Sequence, residues 1–333
     1  MPVLSTNNPT LSDFAARLDG NDHIVPDIVE LLKEENEILE DMTFLEANEY
    51  TSHRTTVRSG LPAGTWRKLN YGVQPSKSTT VPVRDTMGML EDYAEVDKAL
   101  ADLNGNSAAW RLSEDRAFVQ GLSNTQARTL FYGDTSADPE RFMGLAPRFS
   151  SLTAENGQNI IDAGGTGADN TSIWLVVWGP NTVHGIYPKG SKAGLQSKDL
   201  GEVTLTDANQ GRYQGYRSHY KWDIGLSVRD WRYVVRIANI DVSDLKADAT
   251  TGAALVDLMI QASELIPSFG IGRPVFYMSR KLRSVLRRQM LNTKNVNLTL
   301  DTIAGKRVMM FDEIPVRRTD ALLLTEARVV CTS

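Results

Sequence analysis

Apolar positions recur along the chain with different periods, and each period predicts a different element. From Asp27 to Met42, Ile28, Leu31, Leu32, Leu39 and Met42 fall near helical spacing, with acids on the opposite face. Residues 1–23, ahead of that helix, are polar and turn-rich and read as an extended arm. Between Thr55 and Arg84 the pattern becomes two strand-like halves around Tyr71-Gly72-Val73-Gln74-Pro75-Ser76. This predicts a hairpin in which Gly72 supplies a positive φ and Pro75 ends the ladder. A helical region follows from about Ala94 to Phe131, broken at Asn104-Gly105-Asn106. Ser107 is placed to cap its second part, Ala108–Leu130, which at ~1.5 Å per residue is ~35 Å long.

From Ile160 to Val242 the pattern is β-rich. Ser172–Gly179, SIWLVVWG, predicts a strand buried on both faces. YKWDIGLSV and DWRYVVRIANID predict two more, and the Gly-rich polar stretch from Tyr187 to Tyr220 predicts loops and edge hairpins. Gly252–Ile266 reads as a helix stopped by Pro267. Ser279 caps a further helix through Met290, where Leu282, Val285, Leu286 and Met290 form the apolar stripe. KRVMMFDEIPVRRTDAL and LLTEARVV read as terminal strands. There is no internal repeat and no low-complexity tract.

The hairpin raises a problem of burial. His53–Arg84 holds Arg54, Arg58, Arg67, Lys68, Lys77 and Arg84, no acid, and few large apolar side chains. A lone hairpin is marginal in water, so this one needs a surface outside itself. Trp174, Trp178, Trp222 and Trp231 lie in predicted strands and are assigned to the core. Trp66 has no such core and is a candidate anchor on a partner surface.

Composition and charge narrow the class. The 333 residues suffice for one large domain or two to three smaller ones, and 41% hydrophobic and 23% charged content is that of a globular protein. No apolar run is long enough for a membrane helix, and the first residues lack a basic and an apolar signal region. Cys331 is the single cysteine, which excludes an intrachain disulfide and fits a reducing compartment. The net charge of −5 does not mark a nucleic-acid binder. Its distribution is uneven. Asp27–Glu49 carries nine acids, Glu30, Glu34 and Glu37 among them, against Lys33 alone. Leu265–Leu300 carries seven bases and no acid, with Arg280, Arg283, Arg287 and Arg288 on one helix. Such segregation predicts opposite-sign patches that meet within or between copies. The basic helix is suited to contact either another subunit or nucleic-acid phosphates.

No catalytic constellation accompanies these features. His23, His53, His184 and His219 are scattered outside any metal-binding spacing, and there is no G-x-S-x-G nucleophile turn. Gly164–Asn170, GGTGADN, lacks the Lys-Ser/Thr of a phosphate loop and precedes a strand, so it reads as a turn. No cofactor, metal site or catalytic residue is expected.

The order of elements resembles the Hong-Kong-97-fold major capsid proteins of tailed bacteriophages, of a type found in short-tailed phages. The segments that carry the resemblance are TVRSGLPAGTWRKLNYGVQPSKSTTVPV, MLEDYAEVDKALADLNGN, LFYGDTSADPERFMGL, SIWLVVWG, IYPKGSKAGL, VRDWRYVVRIANID, RPVFYMSRKLRSVLRRQ and GKRVMMFDEIPVRRTDALLLTEARVV. They span nearly the whole chain. The resemblance implies an α+β fold with an N-terminal arm and acidic helix over residues 1–52. It implies an extended hairpin loop over 53–88 that lies on the next subunit, and a peripheral domain with a long spine helix over 89–160. A mainly axial domain follows over 161–310, with terminal strands over 311–333. On this reading Trp66, Arg67, Lys68, Tyr71, Lys77, Arg84, Glu30, Glu34 and Glu37 are interface residues. The implied function is self-assembly, as hexamers and pentamers, into the icosahedral shell of a virion holding double-stranded DNA. A portal protein and a decoration protein are further implied partners. Some members of that family begin with a cleaved scaffolding segment, whereas about 50 residues precede this hairpin (His53 onward), so the resemblance implies a separate scaffolding protein. Assembly in the host cytoplasm is expected, with no membrane partner. The alternatives are an encapsulin-type compartment or another phage structural component, and last a cytosolic enzyme.

Overall fold

The structure, a computed structural model, describes residues 36–103, 107–207, 209–245, 254–292, 298–303 and 306–330. Glu30, Glu34, most of the predicted acidic helix and Cys331 lie outside these residues. The strands in chain order are β1 Phe44–Glu46, β2 Ser52–Gly60, β3 Thr79–Asp97, β4 Ile160–Asp162, β5 Asn170–Trp178, β6 Val183–Tyr187 and β7 Gln196–Thr206. They continue with β8 Arg212–Val228, β9 Val234–Asp241, β10 Arg273–Met278, β11 Leu298–Ile303, β12 Lys306–Phe311 and β13 Ile314–Arg318. The principal helices are Ser107–Tyr132, Leu255–Glu264 and Arg280–Asn292. The chain divides into two compact units.

The larger unit takes in Glu35–Gly88, Ala127–Ala193 and Ile224–Ser333. Its centre is β5, flanked antiparallel by β9 and β10, with β13 parallel to β10 and β12 beyond it. Every residue of β5 is buried, as its unbroken apolar run predicts. Ile173, Leu175 and Val177 join Val235 and Ile237 of β9 in one cluster with Leu255, Met259 and Ala262 of one helix and Leu282, Val285 and Leu286 of the other. Each such side chain contributes ~1.5–3 kcal/mol by leaving water. Trp174 and Trp178 join an aromatic layer, where Trp174 meets Phe131 and Phe149 and Trp178 meets Tyr277. Leu282, Val285 and Leu286 of the predicted stripe therefore form the core face of the basic helix, the Met290 side chain lying outside the described ones, and Ser279 Oγ accepts the Leu282 N–H at its start (3.3 Å).

A buried ion pair crosses this core. Arg236 of β9 meets Glu326 at 2.8 Å, and both side chains are almost wholly inaccessible. Arg236 also donates to Ser172 Oγ (3.1 Å) and the Phe149 carbonyl (2.7 Å), and its guanidinium lies over the Trp174 ring. Glu326 accepts from Tyr132 and Ser172, while its backbone N–H donates to the Asn170 carbonyl (2.8 Å). Burial, and then the Glu326 carboxylate, hold the Tyr132 phenol well above its usual pKa.

The smaller unit takes its described residues from Met89–Gln126 and Gly194–Asp223. β7 and β8 form a long antiparallel hairpin whose register shifts between Asp199 and Gly201. Gly201 takes φ +70° there, and Asp199 Oδ1 accepts its N–H (2.8 Å). At Gly215 a Cβ would sit 2.3 Å from Leu205 Cδ1 and 2.6 Å from the Val96 carbonyl, so only glycine allows this approach. Hydrophobic burial here is small: Ala94, Leu122 and Tyr220 in one cluster, Val96, Leu100 and Ala101 in another. Ion pairs are correspondingly prominent, including Glu95–Arg217 (2.5 Å), Lys98–Glu202 (2.8 Å) and Arg111–Asp199 (2.6 Å).

Some local expectations change. Ala94–Asp97 belongs to β3, and the first predicted helical part shrinks to Lys98–Ala101, where the Asp97 side chain accepts the Ala99 N–H. Pairing in the sheet overrides local helical propensity there. LLTEARVV makes isolated bridges at Glu326 and Val330 rather than a strand. Trp231 lies half-buried on a 3₁₀ turn instead of in the core, while Trp222 is buried. The expected turn residue Gly72 is not in the left-handed region; Asn70 is, at φ +66°.

Removing one partner of a satisfied buried ion pair leaves an uncompensated charge. Glu326→Ala is expected to destabilise the isolated subunit by ~3–5 kcal/mol in urea unfolding. An effect below ~1 kcal/mol would show that the pair does not hold the core.

Candidate inter-subunit surface

The hairpin's stem is made by the chain itself. β2 and β3 pair antiparallel from Ser52↔Thr86 to Gly60↔Thr79. Its foot is held by polar contacts. Asp85, buried on β3 and paired with His53, accepts from Arg148 Nη2 (2.8 Å) and Ser227 Oγ (2.8 Å). Arg148 donates onward to the Leu226 carbonyl (3.2 Å). The Asn48 amide brackets Arg54, donating to its carbonyl (2.6 Å) and accepting its N–H (2.9 Å). Arg84 bonds Glu49 (2.9 Å) and Ser52 Oγ (2.8 Å).

Beyond Gly60 the ladder stops. Residues 61–78 form no strand, and every one of them is exposed. Within the segment the Tyr71 N–H donates to the Lys68 carbonyl (3.3 Å) and Ser76 Oγ to the Ala63 carbonyl (3.5 Å). Trp66 is 101% exposed, Leu69 85% and Leu61 79%, with Tyr71 and Val73 also open. Arg67, Lys68 and Lys77 share this segment, without an acid. It offers apolar surface and cationic charge together, and the described residues cover neither. The sequence singled out Trp66 and Tyr71 but not Leu61, Leu69 or Val73, because isolated apolar residues in a polar run carry no period.

The acidic and basic candidates fall elsewhere. Glu37 pairs with Arg317 (2.9 Å), and neighbouring Asp41, buried, accepts from Arg317 (3.1 Å), Arg273 (3.3 Å) and the Tyr277 hydroxyl (3.1 Å). At this point the acidic segment meets bases of its own chain. On the basic helix, Arg280 pairs with Asp320 and Arg283 is half-buried, while Arg287 and Arg288 are exposed. Burial holds Arg283 below the usual guanidinium pKa, with Glu37 opposing that shift. Arg84 is committed to Glu49 within the chain, and Arg67, Lys68 and Lys77 remain at the open tip. Among the described residues no cluster of His, Cys, Asp and Glu suits a metal, and no helix is long and apolar enough to cross a membrane.

A mixed α+β unit built on a large sheet, carrying a long helix and an uncovered hairpin, defines the Hong-Kong-97-like class of shell subunit. The sequence profile of the family "Major capsid protein GP7" matches residues 19–330, and the chain belongs to that family. A chain from the structure of bacteriophage Epsilon15 is 42% identical, with 100% of each chain covered and a TM-score of 0.77. The capsid chain of bacteriophage JBD30 shares the fold at 10% identity, covering 88% of this chain and 93% of that one, with a TM-score of 0.52. An encapsulin from Synechococcus elongatus reaches only 0.45 at 12% identity, over 69% and 96% of the two chains. No curated protein matched the chain. The protein is thus a tailed-phage major capsid protein, a structural subunit of an icosahedral shell.

His184, one of the four histidines scattered along the sequence, lies at the hairpin foot rather than at the surface. His184 on β6 is wholly buried and meets His53 edge-on (5.8 Å). Burial, followed by the nearby His53 and Arg229, lowers its pKa from 6.5 to about 4. The folded subunit therefore holds His184 neutral where the unfolded chain protonates it. This contribution is complete above pH 6.5 and is lost as the pH falls towards 4, a change on the order of 3 kcal/mol. Urea unfolding of the subunit across that range is expected to show the decline, and His184→Phe to flatten it. An equal slope in the variant would assign the decline to other groups.

Proposed function

We propose that the chain builds its shell by laying the hairpin of each copy on a neighbouring copy, within hexamers and pentamers. The observation that carries this reading is the tip itself: an 18-residue segment, 61–78, wholly exposed and presenting Trp66, Leu69 and Tyr71 among three cations. Large exposed apolar patches mark interaction sites, and buried aromatic anchors carry most of an interface's affinity. Repetition of one such contact around closed symmetry is what makes a shell from a single chain. The role is mechanical rather than catalytic.

The shell so formed encloses double-stranded DNA in the virion after assembly in the host cytoplasm. A separate scaffolding protein, a portal and a decoration protein are its further partners. Glu30 and Glu34 would serve contacts of the arm. Arg280, Arg283, Arg287 and Arg288 would face a neighbouring subunit or the packaged DNA, the latter without sequence specificity.

Trp66→Ala is expected to leave the subunit's circular dichroism and urea midpoint unchanged while lowering shell yield and heat resistance. Wild-type yield and wild-type heat resistance together would sink the proposal.

A further inference from the structure

The basic helix Arg280–Asn292 keeps an open cationic face. Arg280, Lys281, Ser284, Arg287 and Arg288 are exposed along it, and Arg283 is half-buried. Among the described residues Arg280 is paired with Asp320, while Arg287 and Arg288 form no ion pair. Arg283 is crowded by Arg287 and Arg317, with Glu37 as the opposing charge. The described chain begins beside the first turn of this helix. Asn36 Oδ1 accepts from Thr319 Oγ1 (2.9 Å) and from the Ala321 N–H (3.2 Å), on either side of the Asp320 that holds Arg280. Glu37, next along, pairs with Arg317 (2.9 Å). We propose that the acidic stretch Asp27–Glu35 runs from this anchor along the basic helix of its own chain, antiparallel to it, with Glu34 facing Arg283 and Glu30 facing Arg287.

Place, spacing and charge each support this occupant. Asn36 is fixed at the head of the open face, so the stretch ahead of it starts within reach. At ~1.5 Å per residue, Asp27–Glu35 spans ~13 Å as a helix, and Arg280 to Arg288 covers ~12 Å. The steps match in reverse order: positions 37, 34 and 30 descend by three and four, and 280, 283 and 287 ascend by three and four. Residues three and four apart share one helix face. Asp27, Glu30, Glu34 and Glu35 stand against Lys33 alone in the stretch, and the basic helix carries no acid. Opposite charge of this kind selects one register among several. DNA phosphates would also be drawn to these arginines, but the stretch is tethered at Asn36 and meets them at a high effective concentration. The inference deepens the arm contact proposed above: the arginine face offered there to a neighbour or to DNA is met first by the arm of the same chain. No hairpin residue takes part, so its failure leaves the hairpin proposal untouched.

The test uses assembled shells of the full chain carrying Cys331→Ser. Lys33→Cys and Ser284→Cys, placed together, lie in the proposed register and leave Glu30, Glu34, Arg283 and Arg287 in place. After oxidation with copper phenanthroline, remaining thiols are tagged with a polyethylene-glycol maleimide and the denatured chains are run on a non-reducing gel. The expected product is an untagged monomer, its disulfide closed within one chain. Val29→Cys with Arg288→Cys, one turn further in the same register, gives a second pair, and closure by either pair supports the contact. Lys33→Cys with Asp257→Cys, exposed on the helix Leu255–Glu264, is expected to stay tagged. Glu30→Lys with Glu34→Lys, added to a pair that closes, is expected to slow closure by about fivefold or more, because two exposed ion pairs become repulsive. Closure unchanged by these two reversals overturns the proposal. Covalent multimers in place of closed monomers also overturn it, and place the arm on a neighbour's basic helix. Tagged monomers from both pairs overturn the arm contact altogether and leave the arginine face to DNA.

Discussion

The ion pair between Arg236 and Glu326 is the interaction on which the larger unit depends. Burying two charges is costly, and the cost is met only when the remaining donors and acceptors are satisfied. Here they are. Arg236 reaches Ser172, the Phe149 carbonyl and Glu326, and Glu326 takes Tyr132 and Ser172 in turn. The partners come from β9, β5, the end of the long helix, the turn at Phe149 and the C-terminal segment. Hydrophobic burial would hold these elements together in several registers. Directional bonds to a single carboxylate select one. The bridge of Glu326 to Asn170 shows the same pinning at the backbone, and explains how a segment without strand pairing stays in place.

The second constraint acts at the surface. A backbone segment that leaves the sheet must find hydrogen bonds in water or on a partner. The stem of the hairpin solves this with its own ladder, and residues 61–78 do not. Their apolar side chains are as open as their backbone. In a monomeric protein such a segment would be an aggregation hazard. In the assembly proposed above it becomes the means of closure, because each copy would supply both the uncovered segment and the surface that covers it.

Much of this was legible in the sequence, for physical reasons that differ by element. β5 was read from SIWLVVWG because a strand buried on both faces leaves an unbroken apolar run. The helix at Arg280 was read because its stripe keeps 3.6 spacing through Leu282, Val285 and Leu286. The hairpin was read from its two strand-like halves around a turn, and Ser52–Gly60 does pair antiparallel with Thr79–Thr86. What escaped was non-local. Ala94–Asp97 has helical composition, yet pairing makes it strand. The foot cluster of Asp85, Arg148 and Ser227 joins residues far apart in sequence, and no spacing announces it. Asn70 takes the left-handed turn beside a glycine better suited to it, which local preference alone would not select. Charge segregation was visible, but that Glu37 and Asp41 meet Arg317 and Arg273 in the same chain was not.

These contacts share one design. Within the larger unit the hairpin is rooted at Asp85 and the segment ahead of it at Asp41, and at both points a buried carboxylate is held by arginines and hydroxyls. Bonds of this kind are directional and stiff, whereas the exposed tip is bound by little of its own chain. A shell needs both properties in one segment. The root must point the same way in every copy, or the lattice does not close. In the proposed assembly the tip must adapt, because hexamers and pentamers would present neighbours at different angles. Placing the ions at the root and the aromatics at the tip separates direction from affinity, so that one can remain fixed while the other adjusts.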